Sequence, residues 1–81
     1  MNTDATDLQD RLIEMITSEI TFGAAVEPGT DLLLTGLVDS IGVVRIVAWL
    51  EQELGIEIDP TDVLLENFQT VTAMLAYLRS R

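Results

Sequence analysis

Apolar residues recur along this chain at helical spacing, in blocks separated by turn-forming residues. Leu8, Leu12, Met15, Ile16 and Ile20 fall on one face, and Asp7, Asp10, Arg11, Glu14 and Ser18 on the other. With Thr6 and Gln9 ahead of them as a capping box, they predict a helix over about residues 7–21. A second helix opens at Asp39 and Ser40 and runs to Leu54, stopping at Gly55 because glycine most readily takes the left-handed conformation past a helix end. At 100° per residue, Val43, Ile46, Val47, Leu50 and Leu54 form its core face. Ile41, Arg45, Ala48 and Gln52 fall opposite as an exposed strip, with Val44 and Trp49 on its flanks.

Residues 56–58, IEI, read as a short extended link. Asp59 then caps, and Pro60 starts, a short third helix ending near Glu66. Thr70 caps a last helix built on Val71, Met74, Leu75 and Leu78, with Arg79 and Arg81 complementing the dipole at its C-terminal end. The expected fold class is therefore all-α: a four-helix bundle of three long helices and one short third helix. The first two helices are joined by a long loop, FGAAVEPGTDLLLTGLVD, in which Gly23, Pro28, Gly29 and Gly36 interrupt regular structure. Phe22, Val26 and Leu32 to Leu34 supply it with apolar anchors. Each leucine left in water forfeits about 1.5–3 kcal/mol of available burial, so the loop is expected to lie across the bundle.

Composition narrows the possible functions. The 81 residues suit one domain, 1–81, with residues 1–6 loose ahead of the first helix and no second lobe to build a cleft. A hydrophobic fraction of 48% argues against disorder. Thr35, Gly36 and Arg45 interrupt the apolar runs well short of the roughly 20 residues that span a bilayer. The acidic start NTDATD is unlike a secretory signal, and the lack of cysteine suits a reducing cytoplasm. The chain has neither histidine nor lysine, which removes the usual general base, the commonest metal ligand and the Schiff-base amine. A formal charge of −10 disfavours nucleic acid and anionic membranes and suits either a solvated surface or a basic partner. No calcium-loop motif is present, and nothing places the carboxylate pairs Asp59 and Asp62 or Glu51 and Glu53 at a cleft. A catalyst in its own right is not expected.

One segment could carry chemistry: GLVDSI, residues 36–41, where Ser40 follows a structured loop at a helix N-terminus. The free amides and positive dipole end there favour an anion, so a phosphodiester on Ser40 would be well placed, although Asp39 adds an opposing like charge. An Asp-Ser pair before an apolar helix is equally ordinary capping, and spacing alone leaves both readings open. As a nucleophile in this chain's own catalysis, Ser40 lacks a base to activate it.

Here the residues resemble a family, the acyl carrier proteins and related peptidyl and aminoacyl carriers, which are phosphopantetheine-bearing four-helix bundles. DLLLTGLVDSIGVVRIVAWLEQELGIEI is similar to the family's loop, attachment motif, second helix and link. DPTDVLLENF resembles its short third helix, and TVTAMLAYL its last. The resemblance implies that Ser40 receives 4′-phosphopantetheine from coenzyme A through a separate Mg²⁺-dependent phosphopantetheinyl transferase. It implies recognition roles for Asp39 and Ile41, with Val44, Arg45 and Ala48 as a docking surface and the acids Glu51, Asp62 and Glu66 steering basic partners. The arm's thiol would carry an acyl or aminoacyl thioester, supplying the sulfur chemistry that a cysteine-free chain lacks. Arg45, Ala48 and Trp49 depart from the acid-rich face of the fatty-acid synthase type. GLVDS and LENFQTV look closer to freestanding, monomeric, cytoplasmic carriers loaded by an adenylate-forming acyl or aminoacyl ligase and serving downstream acyl-transfer or tailoring enzymes. The alternative is an unmodified helical adaptor that uses the same strip only to bind a protein. Nothing visible in the residues names the cargo.

Overall fold

The computed structural model describes residues 5–80, which form four α-helices and no strand: α1 (Ala5–Glu19), α2 (Ser40–Leu54), α3 (Leu65–Phe68) and α4 (Val71–Ser80). Of the segment expected to be loose, Ala5 and Thr6 are backbone of α1. Residues 1–4, the Thr6 side chain expected to cap α1, and Arg81 lie outside the described residues. The core gathers Leu12 and Ile16 from α1, Ile46 and Leu50 from α2, Phe68 from α3, and Val71 and Met74 from α4. These are the faces that the periodicity marks.

α2 departs from expectation most at its last turn, while Val47 of the expected core face is only half-buried. Gly55 takes the left-handed conformation (φ 65°, ψ 38°) and donates its N–H to the Glu51 carbonyl. The chain therefore reverses, and Ile58 fills the space beneath the helix end while Leu54 stands exposed rather than in the core. α4 starts as expected, with the Ala73 N–H donating to Thr70 Oγ1 at 2.9 Å.

The third helix is not continuous over 60–66. Asp59 caps a 3₁₀ turn at Pro60–Asp62, Val63 and Leu64 leave the helical region, and α3 begins only at Leu65. The break follows from what Asp62 bonds to: its carbonyl accepts from Leu64 N–H and Asn67 Nδ2, and its carboxylate from the Tyr77 hydroxyl, at 2.8 Å each. Phe68 is thereby driven into the core, its ring centroid 5.9 Å from that of Tyr77.

The long loop lies across the bundle, with Val26, Leu32 and Val38 buried. It is stitched to the α3–α4 junction, where Leu32 N–H donates to the Gln69 carbonyl (2.8 Å) and Thr72 donates to the Pro28 carbonyl through both N–H and hydroxyl (3.0 and 3.1 Å). Two expected anchors do not anchor: Phe22 and Leu34 are 81% and 74% exposed. Tight turns hold both outward. Phe22 closes the end of α1 at a left-handed φ of 53°, and Leu34 tops a turn whose N–H donates to Asp31 Oδ1 at 2.8 Å.

Asp31 also accepts from the Gln69 side-chain amide, and these bonds hold its carboxyl below the usual aspartate range. Asp59 is lowered likewise by the N–H and hydroxyl of Thr61. A depressed pKa contributes stability above the unfolded value of about 3.9, which is lost as pH falls through the folded value. The urea midpoint is therefore expected to fall on acidification below about pH 4, and to fall less in Asp31→Asn. Parallel acid profiles for the two proteins would show that the Asp31–Gln69 contact contributes nothing.

Candidate functional site

The loop delivers the chain to α2 through Asp39, whose extended backbone and side chain cap the helix by accepting the Gly42 N–H at 2.9 Å. Ser40 is the first helical residue and is exposed. No hydrogen bond among the described residues holds its hydroxyl. The two other serines are occupied: Ser18 donates to the Glu14 carbonyl (2.8 Å) and Ser80 to the Tyr77 carbonyl (3.0 Å). Ser40 thus presents a free nucleophilic oxygen at the positive end of a 15-residue helix, the end that stabilises a negative group.

Gly42 sets how that turn seats. A Cβ there would lie 2.7 Å from Val38 Cγ1 and 3.2 Å from Ile20 Cγ2, so the missing side chain lets α2 press against the loop and the end of α1. Ser40 also borders an open groove of about 370 Å³, lined by Leu33, Val43, Val44, Val63, Leu64, Leu65 and Phe68. Its lining is almost wholly aliphatic, so it suits a flexible organic chain better than an ion.

Of the residues expected to recognise partners, Asp39, Ile41, Val44, Arg45, Ala48 and Glu66 are exposed. Several are also structural. Arg45 Nη1 donates to the Glu19 carbonyl at 2.9 Å, and Nη2 lies 3.5 Å from the Glu19 carboxylate, so this cation caps the C-terminal end of α1. Glu51 is half-buried and accepts the Ile58 N–H at 2.8 Å, while Asp62 is half-buried against Tyr77. Only Glu66 of the three expected steering acids is exposed. Trp49 is half-buried, with the Arg11 guanidinium 5.8 Å from its ring centroid and Arg11 paired to Glu53.

Sequence reasoning missed the groove wall of Leu33, Leu64, Leu65 and Phe68 and the close approach at Gly42. The available signal was the surplus of leucine in LLL and VLLENF, more than one face of so short a segment can bury. Among the described residues no cluster of acidic side chains could hold a metal ion, and no helix is long and apolar enough to cross a membrane.

The sequence matches the PP-binding family, described as "Phosphopantetheine attachment site", over residues 10–78. The chain belongs to that family. Its members hold 4′-phosphopantetheine covalently and act as carriers rather than catalysts, so this protein is a phosphopantetheine carrier and the all-helical bundle is the family's fold. No curated protein matches the chain. Among solved structures, a chain from one described as "Crystal structure of FAD-dependent dehydrogenase" is 28% identical, with a TM-score of 0.76 over 85% of this carrier and 100% of that chain. The residues around Ser40 fit the prosthetic group: an exposed hydroxyl, a helix dipole suited to a phosphodiester, and an aliphatic groove alongside. When bound, the group supplies a thiol, which the carrier's own residues lack.

Proposed function

We propose that Ser40 is the attachment point and that this carrier presents an acyl or aminoacyl group, held as a thioester, to biosynthetic enzymes. The observation that carries the reading is the state of the three serines: Ser18 and Ser80 donate their hydroxyls to helix carbonyls, while Ser40 is exposed and uncommitted at a helix N-terminus. Attachment exchanges the O–H bond of Ser40 for an O–P bond to the pantetheine phosphate of coenzyme A and releases adenosine bisphosphate. The base that takes the proton is assigned to the transferase: this chain has no histidine or lysine, and the carboxylate beside Ser40, that of Asp39, accepts the Gly42 N–H as the helix cap. Around Ser40 the carrier offers position: Asp39 and Gly42 hold the first turn, and Ile41, Val44 and Ala48 with Glu66 give partners a surface to grip.

The likeness to a chain from an FAD-dependent dehydrogenase structure supports a narrower reading of the downstream partner, a flavin-dependent dehydrogenase that oxidises the cargo while it is tethered. That chain is wholly covered by part of this one, so it is itself of carrier size.

Incubation with coenzyme A, Mg²⁺ and a broad-specificity phosphopantetheinyl transferase should add the mass of one arm to the wild-type protein and nothing to Ser40→Ala. Both proteins should keep the same circular dichroism. A mass gain that persists in the variant would remove Ser40 from the site, and no gain in the folded wild type would favour an adaptor that works without an arm.

A further inference from the structure

The groove beside Ser40 is the near end of a longer track. A second apolar groove, of about 250 Å³, is lined by Val44, Val47, Glu51, Ile58, Pro60 and Val63. It shares Val44 and Val63 with the first, so the two run together along one side of α2. The α2 wall is a single stripe: at about 100° per residue, Ser40, Val44, Val47 and Glu51 fall within about 60° of one another. A rise of about 1.5 Å per residue puts Glu51 about 16–17 Å along the helix from Ser40. The rim of the track stands in water, with Val44 and Leu65 66% and 54% exposed, and covering it would recover apolar burial.

Length and charge identify what covers it. An extended phosphopantetheine arm reaches about as far as five or six residues of extended chain, roughly 17–20 Å, so an arm laid along the stripe from Ser40 would end at Glu51. Glu51 is the one ionisable side chain lining the second groove, and it is half-buried. Its Oε2 accepts the Ile58 N–H at 2.8 Å, while its Oε1 has no bonding partner among the described residues. The adjoining surface adds Glu57 and Asp59, and no cation lines it or either groove. Arg11 and Arg45 are committed on the α1 side, to Glu53 and Glu19. An aliphatic groove with a carboxylate at its far end suits an apolar ligand that carries a positive group.

We infer that the second groove is a cargo seat in which Glu51 selects an aminoacyl group with a small aliphatic side chain. Its α-ammonium meets Glu51 Oε1, and its side chain packs against Val47, Ile58 and Val63. A plain acyl group would fill the apolar part and leave Glu51 unpaired. One that ends in a carboxylate would be repelled by Glu51, Glu57 and Asp59 together. This seat decides between the acyl and aminoacyl forms of the proposed function, and it rests on Ser40 as the attachment point, from which the reach of the arm is counted.

The test loads wild type and Glu51→Gln from synthetic coenzyme A analogues in which an amide replaces the thioester, using a broad-specificity phosphopantetheinyl transferase. Three arms are compared: valyl, 3-methylbutanoyl, which is valyl without its amine, and succinyl. Glutamine keeps an acceptor for the Ile58 N–H, so the two proteins should give the same circular dichroism. At about pH 6, below the usual α-amino range, the valyl form of the wild type should melt at least about 2 °C above the 3-methylbutanoyl form, with the succinyl form lowest. The Ile58 amide resonance, which reports on Glu51 directly, should move with valyl and not with 3-methylbutanoyl. In Glu51→Gln the valyl and 3-methylbutanoyl forms should melt together. Equal melting of all three wild-type forms, as expected if a partner protein rather than the cargo covers the groove, would overturn the cargo seat. So would a valyl advantage that survives in Glu51→Gln, or an Ile58 resonance indifferent to the amine; all three outcomes leave Ser40 as the attachment point. Intact mass separates the two readings: an arm that Ser40→Ala still accepts, or that the folded wild type refuses, would sink the attachment reading and the seat with it.

Discussion

Replacing Leu32 by alanine is expected to cost about 2–5 kcal/mol, as for other fully buried leucines. A domain of this size has roughly 4–12 kcal/mol in total, so the variant would be marginal or unfolded at 25 °C. Leu32 is fully buried although it lies in a loop, its N–H donates to the Gln69 carbonyl, and its own carbonyl accepts the Val38 N–H at 3.0 Å. Cutting its side chain removes the peg that holds the loop on the bundle and loosens the segment leading to Asp39 and Ser40. Urea unfolding at an unchanged slope measures the loss. Leu34→Ala is the companion: that side chain is 74% exposed and should change stability by no more than about 0.5 kcal/mol. Equal costs for the two leucines would mean that the loop is not part of the core.

Phe68→Ala should be at least as severe, at about 3–5 kcal/mol. α3 has four residues, too few to persist as an isolated helix, and Phe68 is its one buried side chain. Without that ring α3 loses its contact with the Tyr77 ring and its one buried anchor against α4. Because α3 and the preceding Val63–Leu64 segment form one wall of the groove beside Ser40, the damage should extend to function. At a temperature where the variant is still folded, amide exchange should quicken across 63–68 before α1 and α2 respond. Uniform protection loss across all helices would instead show that α3 unfolds only with the whole bundle.

The acids illustrate why a site is harder to read than a fold. Glu51, Asp62 and Glu66 are alike in a sequence, three carboxylates on the side expected to meet partners. In the folded chain Glu51 holds the link at Ile58 and Asp62 holds Tyr77, while Glu66 alone is exposed. Arg45 likewise reads as a surface cation from its helical position, yet it caps α1 across the bundle. Each assignment depends on a partner 7 to 26 residues away in the chain, and periodicity carries no information about such distances.

What the sequence by itself determined were the properties local to a few turns. Apolar spacing picked out the core faces of α1, α2 and α4; Asp39, Asp59, Thr70 and Gly55 marked helix ends through bonds and backbone freedom that act within four residues. The absence of histidine, lysine and cysteine ruled out most chemistry whatever the fold. The tertiary structure alone decided which of several equivalent leucines and acids face inward, where the third helix breaks, and that Phe22 stands in solvent at a strained turn. Those outcomes are set by competition among residues far apart in the chain for the same buried volume and the same hydrogen-bond donors, a competition that exists only once the helices have packed.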